Sequence, residues 1–415
     1  MSASPFARFV AASGLTNLAD GIATVAWAWL ASLLTRDPLL IALVAVALRL
    51  PWFLFAIPAG VITDRVDRRL LILRMDMLRG AAFAFAAVAI WVALPLAPPT
   101  MALTQPGLYL TILAAAALVG IAEVFRDNAA QTMLPALVPQ NHLEKANGRL
   151  WSVELVGNAL LGPALGAFLI AAALPLPFAV GALAYASAVV LVLAVGGRFK
   201  PAPTQARNWR RELDEGFRFL WSARLLRSLA WITGVWNLLF QMVMIALVLH
   251  VQENLGLDAR AYGLILAAGA LGGIAGGWWG DAIIARLGPK RAAQWMLLAS
   301  FPAFLGIAYA PGPIALAIVL AAFEFTGLVW NTVSVSYRQR KIPDALLGRV
   351  NSLYRLLAWG MMPVGLLLSG LIVRVAEGSL PRDAALTAPF LIAAFGALTL
   401  VIMGWRALTR GFDAA

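Results

Sequence analysis

Twelve stretches of the chain run for about 20 residues or more in nearly unbroken apolar character, and no other feature narrows the possible folds so far. They fall at 8–34, 39–63, 70–94, 107–132, 150–173, 176–196, 227–250, 261–281, 291–310, 313–335, 351–375 and 388–407. Each can cross a hydrocarbon layer about 30 Å thick as a helix, and in lipid a helix satisfies its own backbone polar groups. With 62% hydrophobic and 13% charged residues over 415 positions, the apolar surface exceeds what a water-soluble fold of this length buries. The expectation is an all-α, multi-pass integral membrane protein with the lipid bilayer as solvent.

Charge has meaning here by position. A net charge of +12 on a soluble chain would point to nucleic acid, but these basic residues sit in alternate links. The N-terminus, the links near 64–69, 135–149, 197–226, 282–291 and 336–350, and the C-terminus hold about 25 of the 32, whereas the other links hold only Arg36, Arg260 and Arg382. Basic links stay in the cytoplasm, so both termini are expected there and the membrane is read as the cytoplasmic (inner) one. Met1 to Ala7 shows no cleavable signal pattern, because the first apolar run is too long for one. Cysteine is absent and only His142 and His250 occur, which excludes disulfides, thiolate chemistry and a His-based metal site. No nucleotide-binding loop and no soluble domain longer than about 30 residues is present, which leaves an enzyme or receptor no room for its site.

Between the sixth and seventh runs lies the longest polar stretch. Within it Trp209, Leu213, Phe217 and Leu220 recur at helical spacing, with Arg210, Arg211, Asp214 and Arg218 elsewhere on the wheel. This is the pattern of an amphipathic helix at the membrane surface. It divides the chain into six runs at 1–196, a linker at 197–226 and six runs at 227–415. The two sets carry weak internal symmetry. Gly14 and Asn17 return as Gly234 and Asn237, Gly60 and Asp64 as Gly277 and Asp281, and Pro139 and Asn147 as Pro343 and Asn351.

Motifs in the links and spans now permit a family resemblance. Gly60-x-x-x-Asp64-Arg65-x-x-Arg68-Arg69 resembles motif A of the major facilitator superfamily, with Asp67 where that family usually has Gly. The stretch Asp127 to Pro135, Val138-Pro139 and Ala146-Asn147 resemble the siderophore- and macrolide-exporter branch. Gly162-Pro163-Ala-Leu-Gly166 is similar to a Gly-Pro motif associated with antiporters, whereas Gly120-Ile-Ala-Glu123 does not match the family's Arg-centred motif. The resemblance implies the major facilitator fold, twelve transmembrane helices in two pseudo-symmetric six-helix bundles. It also implies a secondary transporter with a small-molecule substrate, without cofactors, powered by the proton gradient. A monomer is expected. In the motif, Gly60 is expected to admit a close helix, Asp64 to cap a helix N-terminus, and Arg65 to pair with Asp127 as a gate. Arg68 and Arg69 are read as topological anchors.

Charges inside the spans are costly and therefore face a partner or a wet cavity. Asp20 lies about 18 Å into the first run, near the midplane. Arg49 lies at similar depth in the second, so Asp20–Arg49 is the expected pair. Asn17, Asp20 and Thr24 share a helix face, as do Glu324, Gly327 and Asn331, and Asn237 with Gln241 forms a shorter stripe. These faces are expected to wall one polar cavity, with Trp27 and Trp236 offering apolar contact to a substrate. Proton coupling needs an intramembrane carboxyl, and Asp20, Glu324 and Glu123 are the candidates. Asp76 and Arg79, three residues apart, are read as neutralising each other. The functional expectation is proton-coupled efflux of a small amphiphilic molecule (drug, siderophore or secondary metabolite) by alternating access. The alternative is import of a polar metabolite.

Overall fold

A computed structural model describes residues 4–63, 65–200 and 209–413. The chain divides into two compact units, Met1–Thr204 with Asp258–Ala267 and Gln205–Leu257 with Ala268–Ala415. Among the described residues the secondary structure is helical throughout. The first unit contains α1 (Pro5–Leu34), α2 (Pro38–Thr63), α3 (Arg68–Ala93), α4 (Pro106–Met133), α5 (Leu143–Glu154), α6 (Gly162–Ala172) and α7 (Leu176–Leu193). Next come α8 (Trp209–Ser222), α9 (Arg224–Leu249) and α10 (Ala259–Leu287), which starts in the first unit and ends in the second. The second unit continues with α11 (Pro289–Ala308), α12 (Pro313–Lys341), α13 (Asp344–Trp359), α14 (Met361–Ala376) and α15 (Arg382–Asp413).

Eleven spans among the described residues are long and apolar enough to cross a membrane. The twelfth apolar run forms α11, a 20-residue helix whose first turns carry Lys290, Arg291 and Gln294 and dilute its apolar character. The helices start where local chemistry dictates. Proline stands at the first turn of α1, α4, α11 and α12, where its missing N–H costs nothing. The Ser4 hydroxyl accepts from the Ala7 N–H at 3.2 Å and caps α1. The outer faces are strongly apolar and open, with Trp91 74%, Val92 79% and Trp278 79% exposed. That inversion is what a hydrocarbon solvent selects.

In the first unit α1 packs on α7 and α6, and α3 on α4 and α7. A π-helical turn, Leu155–Leu161, joins α5 to α6 and lies against α1. Glycine makes that approach possible: a Cβ on Gly21 would sit 2.6 Å from the Gly157 and Asn158 carbonyl oxygens, and one on Gly162 would strike the Gly21 backbone. In the second unit Gly272 and Gly276 of α10 likewise abut the Ala321 and Phe325 backbones of α12.

The described part of α8 is amphipathic. Leu220 is buried in the second unit's core, while Phe217 and Trp221 stack on its exposed face with ring centroids 5.4 Å apart. The side chains of Trp209, Arg210, Arg211 and Leu213 lie outside the described residues.

Candidate functional site

The charges inside the first unit form one network across four helices. Asp20 stands near the middle of α1. Its Oδ1 accepts from the Arg79 guanidinium of α3 and from the Tyr185 hydroxyl of α7, the latter at 2.5 Å. The Arg79 guanidinium lies 4.5 Å from the Tyr185 ring centre, so the phenol supplies both a hydrogen bond to the acid and a π face to the base. Arg79 is 1% exposed and Asp20 17%. From Arg79 the network continues to Asp76 Oδ1 at 4.0 Å, and from there to Arg126 Nε on α4 at 3.6 Å. Arg126 donates onward to Asp127 Oδ1 at 3.2 Å and to the Ser13 hydroxyl of α1 at 3.2 Å. Asp76 is fully buried, and neither of its oxygens accepts a hydrogen bond. Leaving one of these buried arginines with no acid partner would cost about 3–5 kcal/mol, because its charge would be left dry and unpaired.

This arrangement corrects two pairings expected from sequence and extends a third. Asp20 pairs with Arg79, not Arg49: α1 and α3 both pack on α7, and the Arg79 guanidinium reaches across to Asp20, while α2 packs chiefly on α4. Arg49 is exposed, and its charge acts on Glu123 across the α2–α4 contact. Asp76 and Arg79 are not a closed pair, since each has a second partner of opposite sign. Asp127 is held by Arg126, while Arg65 is exposed and makes no ion pair among the described residues.

The remaining first-unit candidates divide between lining and packing. Asn17 is half-buried and donates to the Ser13 carbonyl at 2.8 Å; Thr24 is exposed and donates to the Asp20 carbonyl at 3.0 Å. Trp27 is not a cavity wall: it is 2% exposed and packs edge-on against Phe83 and Phe178 at 5.6 and 4.8 Å. Gly162, Pro163 and Gly166 are buried, and the two glycines bring α6 against the Gly21 and Ile22 backbone. Glu123 is half-buried, without a hydrogen bond or ion pair among the described residues.

At the link between α2 and α3 the basic residues have structural work. Arg68 donates to the Thr132 carbonyl at 2.9 Å, and Arg69 to those of Val192 and Leu193 at 3.0 and 2.6 Å. These are last-turn carbonyls of α4 and α7, whose helix dipoles favour a cation there. Beyond any topological role, the two arginines clamp three helix ends together. Asp67 caps α3 through the Leu70 N–H at 3.2 Å and accepts from the Phe199 N–H at 3.1 Å, a use that glycine could not serve. Gly60 admits no close helix, since a Cβ there would meet nothing within 4 Å. Asp64 lies outside the described residues.

In the second unit Trp236 donates to the Ser300 hydroxyl at 2.9 Å and stacks on Phe240 and Phe323 at 5.2 and 5.3 Å. Asn237 is buried and donates to the Ala358 carbonyl at 2.9 Å, which ties α9 to α13 and spends the amide on structure. Gln241 is half-buried, and Asn331 is exposed on the face of α12 that carries Glu324. Glu324 is half-buried against Gly269 and Gly273 of α10, with no hydrogen bond or ion pair among the described residues. One cluster escaped the sequence reading. The Tyr354 hydroxyl meets Thr233 at 2.9 Å, Ser334 at 2.8 Å and the Leu229 carbonyl at 3.1 Å, with the Arg338 guanidinium 3.9 Å from its ring centre.

A helical multi-pass protein with a buried acid–base network is the architecture of a membrane transporter, and comparison with known proteins specifies which. The profile of the Major Facilitator Superfamily matches residues 9–366, and the chain belongs to that superfamily. It is 27% identical over 383 residues to the multidrug efflux pump Tap of Mycobacterium tuberculosis, covering 88% of this chain and 85% of that one. The enterobactin exporter EntS of Escherichia coli is 27% identical over 226 residues, covering 53% and 52%. Among solved structures, the inward-facing bacterial homologue of the iron transporter ferroportin superimposes with a TM-score of 0.71 at 17% identity, covering 97% and 98%. The protein is a transporter, not an enzyme, and its relatives include efflux pumps.

Proposed function

We propose that this chain exports a small amphiphilic molecule across the cytoplasmic membrane, exchanging it for protons by alternating access. It would do so as a monomer in the lipid bilayer, with both termini in the cytoplasm. The similarity to Tap and EntS supports the outward direction. The single observation that carries the coupling is the acid-rich network of the first unit. Asp20, Asp76, Glu123 and Asp127 there stand against two buried arginines, Arg79 and Arg126. More carboxyls than guanidiniums in a low-dielectric interior is a composition that invites protons, because an uncompensated carboxylate is expensive there. Glu123, and Glu324 in the second unit, can take up and release a proton without breaking an ion pair. Asp20, held by Arg79 and Tyr185, changes its partners when it does so.

Inside-out membrane vesicles test this reading. With an acid interior, an exporter that exchanges its substrate for protons accumulates an amphiphilic dye or antibiotic, and collapsing the gradient abolishes the uptake. Uptake that is indifferent to the gradient refutes proton coupling. Accumulation only in right-side-out vesicles refutes export in favour of import.

A further inference from the structure

Five charged groups alternate in sign along one line through the first unit: Asp20, Arg79, Asp76, Arg126 and Asp127. Three acids alternate with two bases, so three pairings occupy both bases, and they differ in which acid is left over. With Asp20 charged, Arg79 is taken by Asp20, and Arg126 is shared between Asp76 at 3.6 Å and Asp127 at 3.2 Å. With Asp20 neutral, the acid remaining to Arg79 within ion-pair distance is Asp76, already 4.0 Å away, while Glu123 of α4 acts on it without forming an ion pair. Arg126 then falls wholly to Asp127, and its hold on the Ser13 hydroxyl changes with it. We propose that Asp76, Arg79 and Arg126 form a pairing relay. In it, loss of charge at Asp20 passes Arg79 to Asp76, leaves Arg126 to Asp127 alone, and changes the structure around Ser13 and Asp127.

The inference rests on the proton-coupled reading of Asp20 given above, and adds how that event is reported elsewhere in the bundle. Asp76 and Arg79 are positioning residues in it. Ser13 and Asp20 lie on the same helix seven residues apart, so the signal travels about 10 Å along the unit. It travels toward the end where α3 starts and α4 finishes. The step balances simply: a proton from water joins an Asp20 carboxylate oxygen, and no other bond is made or broken. The charged or titratable groups facing Asp20 are Arg79 and Asp76 from α3, Tyr185 from α7 and Glu123 from α4; Arg49 of α2 acts on Glu123. The adjoining turn Leu155–Leu161 carries no titratable side chain. Asp76 has the environment a relay needs, because it is fully buried and makes no hydrogen bond that would fix it to either arginine.

The chain has no cysteine, so one introduced thiol reports without background. The experiment places Ser13→Cys in the full-length protein and measures its alkylation by N-ethylmaleimide at one fixed pH, with the exposed Ser379→Cys of the second unit as reference for thiol reactivity. The relay predicts that the ratio of the two rates differs severalfold between the parent protein and Asp20→Asn. In an Asp76→Asn background that difference disappears, and Asp76→Glu restores it. A ratio that is the same in the parent protein and in Asp20→Asn, or that still differs in the Asp76→Asn background, overturns the relay. Should Asp76→Asn fail to fold, the comparison of the parent protein with Asp20→Asn decides alone. Gradient-driven uptake in vesicles with an unchanged ratio in Asp20→Asn refutes the relay and spares proton coupling. A changed ratio without gradient-driven uptake refutes proton coupling and supports the relay.

Discussion

Consider Asp20→Asn and Asp76→Asn, singly and together. Arg79 is 1% exposed and cannot shed its charge, so its stability depends on keeping at least one acid. Asp20→Asn removes the acid that accepts from the guanidinium and from Tyr185, at a cost of about 1.5–3 kcal/mol for a hydrogen bond to a charged group. Arg79 still has Asp76 at 4.0 Å. Asp76→Asn costs less, about 1 kcal/mol, because Arg79 retains Asp20 and Arg126 retains Asp127 and Ser13. The double variant leaves Arg79 with no acid in ion-pair distance, Glu123 of α4 acting on it only from farther off. That is the case of a broken buried pair, about 3–5 kcal/mol for this step alone. The double loss should therefore exceed the sum of the singles by about 1–3 kcal/mol. Equilibrium unfolding in detergent, followed by the fluorescence of the 15 tryptophans, measures all four corners of the cycle. Additivity within about 0.5 kcal/mol would refute the shared-acid argument.

Other expectations follow from packing and from the second unit. Gly60→Ala should change unfolding free energy by no more than about 0.5 kcal/mol and leave transport intact, since its Cβ meets open space. Gly21→Val should cost about 1–3 kcal/mol or abolish expression, because its Cβ would press on the Gly157 and Asn158 carbonyls; normal stability would show that the contact between α1 and the Leu155–Leu161 turn is looser than described. Arg69→Gln should lower thermal stability by loosening the α7 terminus, whereas Arg65→Gln, exposed and unpaired among the described residues, should not. Glu324→Gln should reduce gradient-driven uptake and flatten its pH dependence; an unchanged profile removes Glu324 as a proton carrier.

Much of the fold was legible because lipid imposes a length and a composition on every span. Eleven of the twelve apolar runs appear as spans, and α11 fell short where polar residues enter its first turns. The site was legible as residues but not as pairs. Depth along a helix placed Asp20 near the midplane, and depth alone admitted Arg49 and Arg79 equally as partners. The choice between them is set by a shared neighbour: α1 and α3 both lie against α7, whereas α2 lies chiefly against α4. An Asp and an Arg three residues apart within one span suggested self-neutralisation, yet their side chains stand 4.0 Å apart and each turns to a stronger neighbour. Arg126 was missed although it directly precedes Asp127; an arginine inside a span was the available signal. Tyr185 carried none, because a tyrosine in an apolar run reads as packing until its hydroxyl is placed.

Proton-driven export through the Asp20 network is tested most directly by one comparison in inside-out vesicles. Uptake of an amphiphilic compound to which a deletion strain is sensitised would be measured with and without an acid interior, for the parent protein and for Asp20→Asn. The account predicts gradient-dependent accumulation in the parent protein, and its loss in the variant when membrane levels are equal. Equal gradient-driven accumulation by both proteins would contradict it.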